Sequence, residues 1–240
     1  MRFARWRSPA LLIATGLLVT AWSSRASAGQ PSMTTSLTWD EAFPIASAAN
    51  EVRIDAHFQG SDGMSHRLRL WRHGTSFLHR QTDEALDLYV RRTSATANDA
   101  YRLIDHRRHI TMDVRRDQLY RIGVFSDWFG LAYGIDRPKT PFTVRALSVS
   151  ARERRQDCTW RLLVRSAKGS TDESRVCWSP AWGIPLAIRT KDAKGGWSER
   201  FTVERVEAIA PSTDGPAIPS APDGYASFDA GNEIDPQSGD

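Results

Sequence analysis

The chain has 240 residues, 40% of them hydrophobic, with 32 Lys and Arg against 28 Asp and Glu. That is enough apolar material for one domain with a sizeable core, and it excludes a wholly disordered chain. The formal net charge of +4 does not point to nucleic acid: four arginines (2, 5, 7 and 25) lie in the first 28 residues with no acid among them, and the remainder balances 28 basic against 28 acidic residues.

The stretch MRFARWRSPALLIATGLLVTAWSSRASAGQ opens the chain. It carries Arg2, Arg5 and Arg7, an apolar run from Ala10 to Trp22, and Ala26-Ser27-Ala28. This is the order of a secretory signal peptide, and cleavage is expected after Ala28. The apolar run is too short to span a bilayer, and no later stretch is longer, so no transmembrane span is expected after cleavage. The expected location is the periplasm, with secretion as the alternative.

In SLTWDEAF, Thr38 and Glu41 have capping-box spacing, and Pro44 ends that helix early. EVRIDAHFQ then alternates Val52, Ile54, Ala56 and Phe58 against Arg53, Asp55, His57 and Gln59. HRLRLWRHG sets Leu68 and Leu70 against Arg67, Arg69 and Trp71, and ALDLYVRR offers Leu86, Leu88 and Val90. AYRLIDHRRHITMDV and QLYRIGVF continue the pattern. Period two with polar outer faces predicts antiparallel strands with one covered and one wet face. SDWFGLAYGID predicts a second short helix, with Ser126 as N-cap and Gly134 just past its end. Its body is too apolar to lie free in water and must pack on the sheet.

The only cysteines, Cys158 and Cys177, lie in CTWRLLV and RVCWS, which read as a hairpin around AKGSTDES. Cys158, Trp160, Leu162 and Val164 fall on one face, and Leu163 breaks the polar side. An exported pair nearly opposed on neighbouring strands is expected to form a disulfide, worth about 3 kcal/mol in the chain-entropy model. PLAIRT, KDAKGG and WSERFTVERVEAI predict a strand, a turn and a strand. From residue 209 to 240 the chain has six acids, no Lys or Arg, and many Pro, Gly and Ser. It reads as a disordered acidic tail. The expected organisation is a signal peptide at 1–28, one domain at 29–208 and the tail at 209–240. The fold class is α+β, mainly antiparallel β.

RVCWSPAWGIPLAIRTKDAKGGWSERFTVERV resembles the closing strands of the superfamily of periplasmic lipoprotein carriers, which includes the half-barrel domain of an envelope-stress regulator. In that pattern a strand ending in Trp leads to a Gly-hydrophobic-Pro-Leu turn and two more strands. Trp178, Gly183, Ile184, Pro185 and Leu186 stand in the matching places. The resemblance covers about the last third of the expected body. It implies a curved sheet or half-barrel with one or two short helices across its concave face. It also implies an apolar groove that holds a lipid, an acyl chain or a hydrophobic peptide without catalysis. Groove or gate candidates are Trp71, Trp128, Phe129, Leu131, Tyr133, Trp160 and Trp178.

Enzyme chemistry has little support. The six histidines (57, 66, 73, 79, 106 and 109) show no metal-ligand spacing, and no nucleophile or phosphate-loop motif occurs. No catalytic residue, cofactor or metal is expected. Arginine outnumbers lysine 28 to four. Arg91, Arg92, Arg107, Arg108, Arg115 and Arg116, with Arg102 and Arg121 nearby, are candidates for a basic face, since guanidinium suits phosphate and carboxylate. Two readings follow. One is a carrier whose groove takes a lipid or acylated protein, gated by residues 126–134. The other is an envelope module with a self-filled core that docks a partner protein through the arginine face. Neither involves nucleic acid.

Overall fold

The computed structural model describes residues 36–45, 50–60, 62–92, 100–115, 128–149, 157–167, 170–211 and 216–229. The expected signal peptide lies outside them, as do Ser126, Arg116 and Arg121. Strands β1 (Ser36–Leu37), β2 (Glu51–Gln59), β3 (Ser65–His73), β4 (Phe77–Thr82), β5 (Leu86–Arg91), β6 (Ala100–Asp105) and β7 (Ile110–Arg115) come first. They are followed by β8 (Phe142–Ala146), β9 (Thr159–Ala167), β10 (Ser170–Ser179), β11 (Ile184–Lys191), β12 (Trp197–Ala208) and β13 (Ala226–Asp229). Two short helices, α1 (Trp39–Ala42) and α2 (Trp128–Tyr133), complete the set.

The strands form one large, curved, unclosed sheet in the order β1-β8-β9-β10-β11-β12-β2-β3-β4-β5-β6-β7-β13. Every neighbouring pair is antiparallel except β7 and β13. The expected α+β, mainly antiparallel class is therefore the observed one. Helix α1 starts as its sequence dictates: the Thr38 hydroxyl accepts from the Glu41 N–H, and Glu41 accepts from the Thr38 N–H at 2.8 Å.

Cross-strand register explains the two faces. One row reads Val206, Ile54, Leu70, Arg80, Leu88, Leu103, Met112 and Phe228 across eight strands. The next core-facing row reads Val52, Arg72, Leu78, Val90, Tyr101 and Val114. This face joins α1 and α2 in one main core with Trp39, Phe43, Leu131, Trp178 and Leu186. The opposite face over β2–β7 carries Arg53, Asp55, Arg69, His79 and Asp87, together with buried Phe77 and Ile104.

Strand β9 departs from its expected orientation. Leu163, not Trp160, faces the main core. Trp160 packs with Cys177 and Ala187 in a small cluster on the other face, covered by Leu147 and Val149. Both faces are buried there, so alternation alone misassigned the strand. The disulfide joins Cys158 to Cys177 with Cα atoms 5.4 Å apart. The register places Trp160, not Cys158, opposite Cys177. The bond therefore crosses a diagonal rather than linking opposed residues.

The reading of 209–240 as a disordered tail fails over 216–229. Strand β13 pairs with β7 from Ala226–Ile110 to Asp229–Asp113. Arg91 donates to the Pro216 carbonyl at 2.8 Å and Arg102 to the Pro219 carbonyl at 2.6 Å. Docking through backbone carbonyls needs no apolar periodicity, which is why the composition concealed it.

Candidate functional site: an apolar cavity beside the second helix

The site begins with how α2 is held. Gly134 follows its last turn at φ +72°, and its N–H donates to the Gly130 carbonyl at 2.9 Å. That backbone conformation suits glycine at a helix end. A Cβ there would also meet Pro185 Cγ at 3.3 Å, so β11 and the helix end pack closely. Arg72, 1% exposed, rises from β3 into this junction. It donates to the Ala132 carbonyl at 3.1 Å and the Trp182 carbonyl at 2.7 Å, and lies 4.7 Å over the Tyr133 ring. Burial pulls its pKa below the ordinary arginine value. The negative carbonyl end of the helix compensates part of that desolvation.

Beside this junction lies a cavity of about 260 Å³. Leu131 and Tyr133 of α2 form one wall, and Ile54, Phe58, Leu68 and Leu70 of β2 and β3 form another. Ile184, Pro185 and Ile188 of β11 and Phe201 of β12 close the third side. Two cations line it, Arg80 and Arg200. Arg200 hydrogen-bonds Gln59 Oε1 and, at 2.9 Å, Thr190 Oγ1. Arg80 lies 5.4 Å from the Phe58 ring centre, and burial lowers its pKa. A polar pocket of about 420 Å³ at the rim shares Phe58, Gln59, Arg200 and Phe201 with the cavity.

The expected groove residues divide. Leu131 and Tyr133 line the cavity, and half-buried Phe129 packs on Tyr133 at 4.9 Å. Trp128, 5% exposed, belongs to the core rather than to a gate. Trp178, 1% exposed, donates from Nε1 to the Pro44 carbonyl and meets Phe43 edge-to-face, away from the cavity. Trp71 and Trp160 are on the opposite face, and their reading as groove residues is corrected. Trp71 stacks on His79 at 4.6 Å, and His79 stacks on Tyr89 at 4.2 Å, in a ladder across β3–β5. Strict alternation already puts Trp71 with Arg67 and Arg69.

Among the described residues the expected arginine band does not form. Arg91 and Arg115 sit at one end of the six-residue strands β5 and β7, and Arg107 and Arg108 in the turn at the other end. Those ends are about 20 Å apart by strand geometry. Arg92 turns toward Trp128, 5.8 Å from its ring, and Arg102 pairs with Asp113 at 2.6 Å.

Histidines on the polar face pair with acids: His57 with Glu204 at 3.1 Å, His66 with Asp83 at 2.6 Å, and His73 with Glu51 at 2.6 Å. Among the described residues no group of three or more side chains could hold a metal ion. His106 and His109 lie in the β6–β7 turn and flank Tyr225. No described helix is long and apolar enough to cross a membrane.

Sequence reasoning missed Arg80 because it missed β4. FLHRQT shows only two apolar residues before turning polar. Its alternation nevertheless places Arg80 on the face of buried Leu78.

No protein-family model matches the chain, and no curated protein sequence matches it. A solved structure titled "Crystal structure of MucB" is similar at 15% identity and a TM-score of 0.37. The match covers 73% of this chain and 60% of that one, so the chain spans less than two thirds of that structure's length. A likeness at this level carries no argument about function.

Proposed function

We propose that the protein is a non-catalytic binder of the cell envelope that holds an aliphatic chain in the cavity beside α2. The observation that carries this reading is the cavity itself: its wall is apolar on three sides, and it meets a polar pocket at the rim. Ligand sites are concave and mostly apolar with few placed polar groups. The Cys158–Cys177 disulfide and the signal-like leader support an oxidising, extracytoplasmic location. The alternative docking through one arginine face has no geometric support, because the described arginines separate to opposite strand ends.

Native mass spectrometry of protein purified from its own envelope tests the reading, together with uptake of a polarity-sensitive dye. A co-purifying aliphatic species and dye uptake are expected, and Leu70→Trp, which fills the cavity, should abolish uptake. A bare protein that takes up no dye would sink the proposal.

A further inference from the structure

The wall of the cavity contains one side chain that its surroundings do not explain. Arg80 stands in a core-facing row whose other members are Val206, Ile54, Leu70, Leu88, Leu103, Met112 and Phe228. The other two arginines near it have donors in use: Arg72 on two carbonyls and Arg200 on Gln59 and Thr190. Arg80 has the Phe58 ring as its neighbour, and among the described residues no carboxylate pairs with it. Arg80 is half-buried at the cavity wall; a guanidinium cannot shed its proton, so its donors are left to water or to a ligand in the cavity.

We infer that the cavity takes a single-chain aliphatic carboxylate whose head group pairs with Arg80; this rests on the cavity being a ligand site. The planar guanidinium fork matches a carboxylate through two parallel hydrogen bonds. The apolar wall of Ile54, Leu68, Leu70 and Ile184 then receives the chain. The volume restricts the occupant further. A cavity of about 260 Å³ lies below the roughly 300–1,000 Å³ of drug-sized ligand sites. One aliphatic chain fits there and a two-chain lipid does not. A neutral chain would fill the same space and leave Arg80 unpaired, so the charge sets the selectivity.

The test uses the full, folded, delipidated chain and displacement of an uncharged dye. Dodecanoate, dodecanol, dodecyl phosphate and a diacyl phosphatidylglycerol are compared on wild type, Arg80→Met and Arg80→Lys. Dodecanoate should bind about tenfold or more tighter than dodecanol, the size of one charge-assisted contact. Arg80→Met should erase that preference, weakening dodecanoate far more than dodecanol, and Arg80→Lys should restore part of it. The ligand-free Arg80→Met protein should be about as stable as wild type, because its cation has no carboxylate partner to lose and the methionine keeps the apolar contact with the Phe58 ring; a clear loss of stability would assign Arg80 a structural role instead. Equal binding of dodecanoate and dodecanol by wild type would overturn the carboxylate inference and leave the cavity as an apolar site. Tighter binding of dodecyl phosphate would replace carboxylate by phosphate, and stoichiometric uptake of the diacyl lipid would overturn the single chain. Failure of dodecanol and dodecanoate alike would remove the cavity reading itself.

Discussion

Arg72 and Arg80, diagonal neighbours across β3 and β4, show how much a single side chain decides. Arg72 serves structure: its carbonyl partners Ala132 and Trp182 belong to α2 and to the β10–β11 turn. Arg72→Met should therefore cost about 2–3 kcal/mol, the usual value of hydrogen bonds to a charged group. Urea unfolding measures this, and an unchanged midpoint would show that α2 is held by packing alone. On the opposite face Asp87, 5% exposed, accepts from His79 at 2.8 Å and His106 at 2.6 Å. Burial pushes its pKa up, but the two imidazole hydrogen bonds outweigh burial and hold it below the ordinary 3.8. A carboxyl depressed in the fold stabilises above its unfolded pKa, and that stabilisation is lost as pH falls through the folded value. Asp87→Asn should thus be less stable at pH 7 by about 1.5–3 kcal/mol and should lose less on acidification below about pH 4 than wild type does. Parallel losses from neutral to acid pH would remove the claim. None of this was legible beforehand. His79 and His106 lie eight and 19 positions from Asp87, and only cross-strand register brings them together.

Among the elements, the strands of clean alternation were legible and the irregular ones were not. β2 runs from Glu51 to Gln59 as its period predicts, whereas β4 hides behind Arg80 and β9 is inverted by the cluster over Trp160. The turn after β4 also lacked a glycine signal: Asp83 and Glu84 adopt positive φ, and Asp83 is held there by the Arg67 N–H at 2.8 Å and by His66. The segment 216–229 is the largest miss. Proline carbonyls cannot be read from hydropathy, yet they accept from Arg91 and Arg102, and the Tyr225 hydroxyl meets His106 Nδ1 at 3.0 Å. β13 then covers the edge of β7, which would otherwise offer unpaired backbone to another chain. Truncation after residue 210 should cost about 2 kcal/mol, or roughly 4–8 °C in thermal midpoint for a domain of this size. Hydrogen exchange should also speed up in β7. A midpoint within a degree of wild type, with β7 still protected, would return the segment to a solvated tail.

At the scale of the whole molecule, the sheet is two runs of hairpins joined by one seam. β2–β7 follow chain order, as do β8–β12, but the pairing of β12 with β2 closes a long loop and could not be deduced from periodicity. At the seam Val203, 5% exposed, faces Ala56, which is fully buried. The main core ignores the seam: Val52, Leu70 and Val90 on one side share a cluster with Val144, Val176 and Leu186 on the other, with Trp128 and Leu131 of α2 among them. A core continuous across a junction makes each half dependent on the other, and the described residues fall within one compact unit. Equilibrium unfolding should then be a single transition, with tryptophan fluorescence and far-ultraviolet circular dichroism superimposing. Val203→Ala should lower the midpoint of that one transition by about 2 kcal/mol, the loss of buried methyls at a packed site. If the halves were instead separate folding units docked along β12 and β2, the same variant would split the curve. The fluorescence of Trp160 and Trp178 in one run would then part from that of Trp71 in the other, and the two-run sheet would have to be treated as two domains.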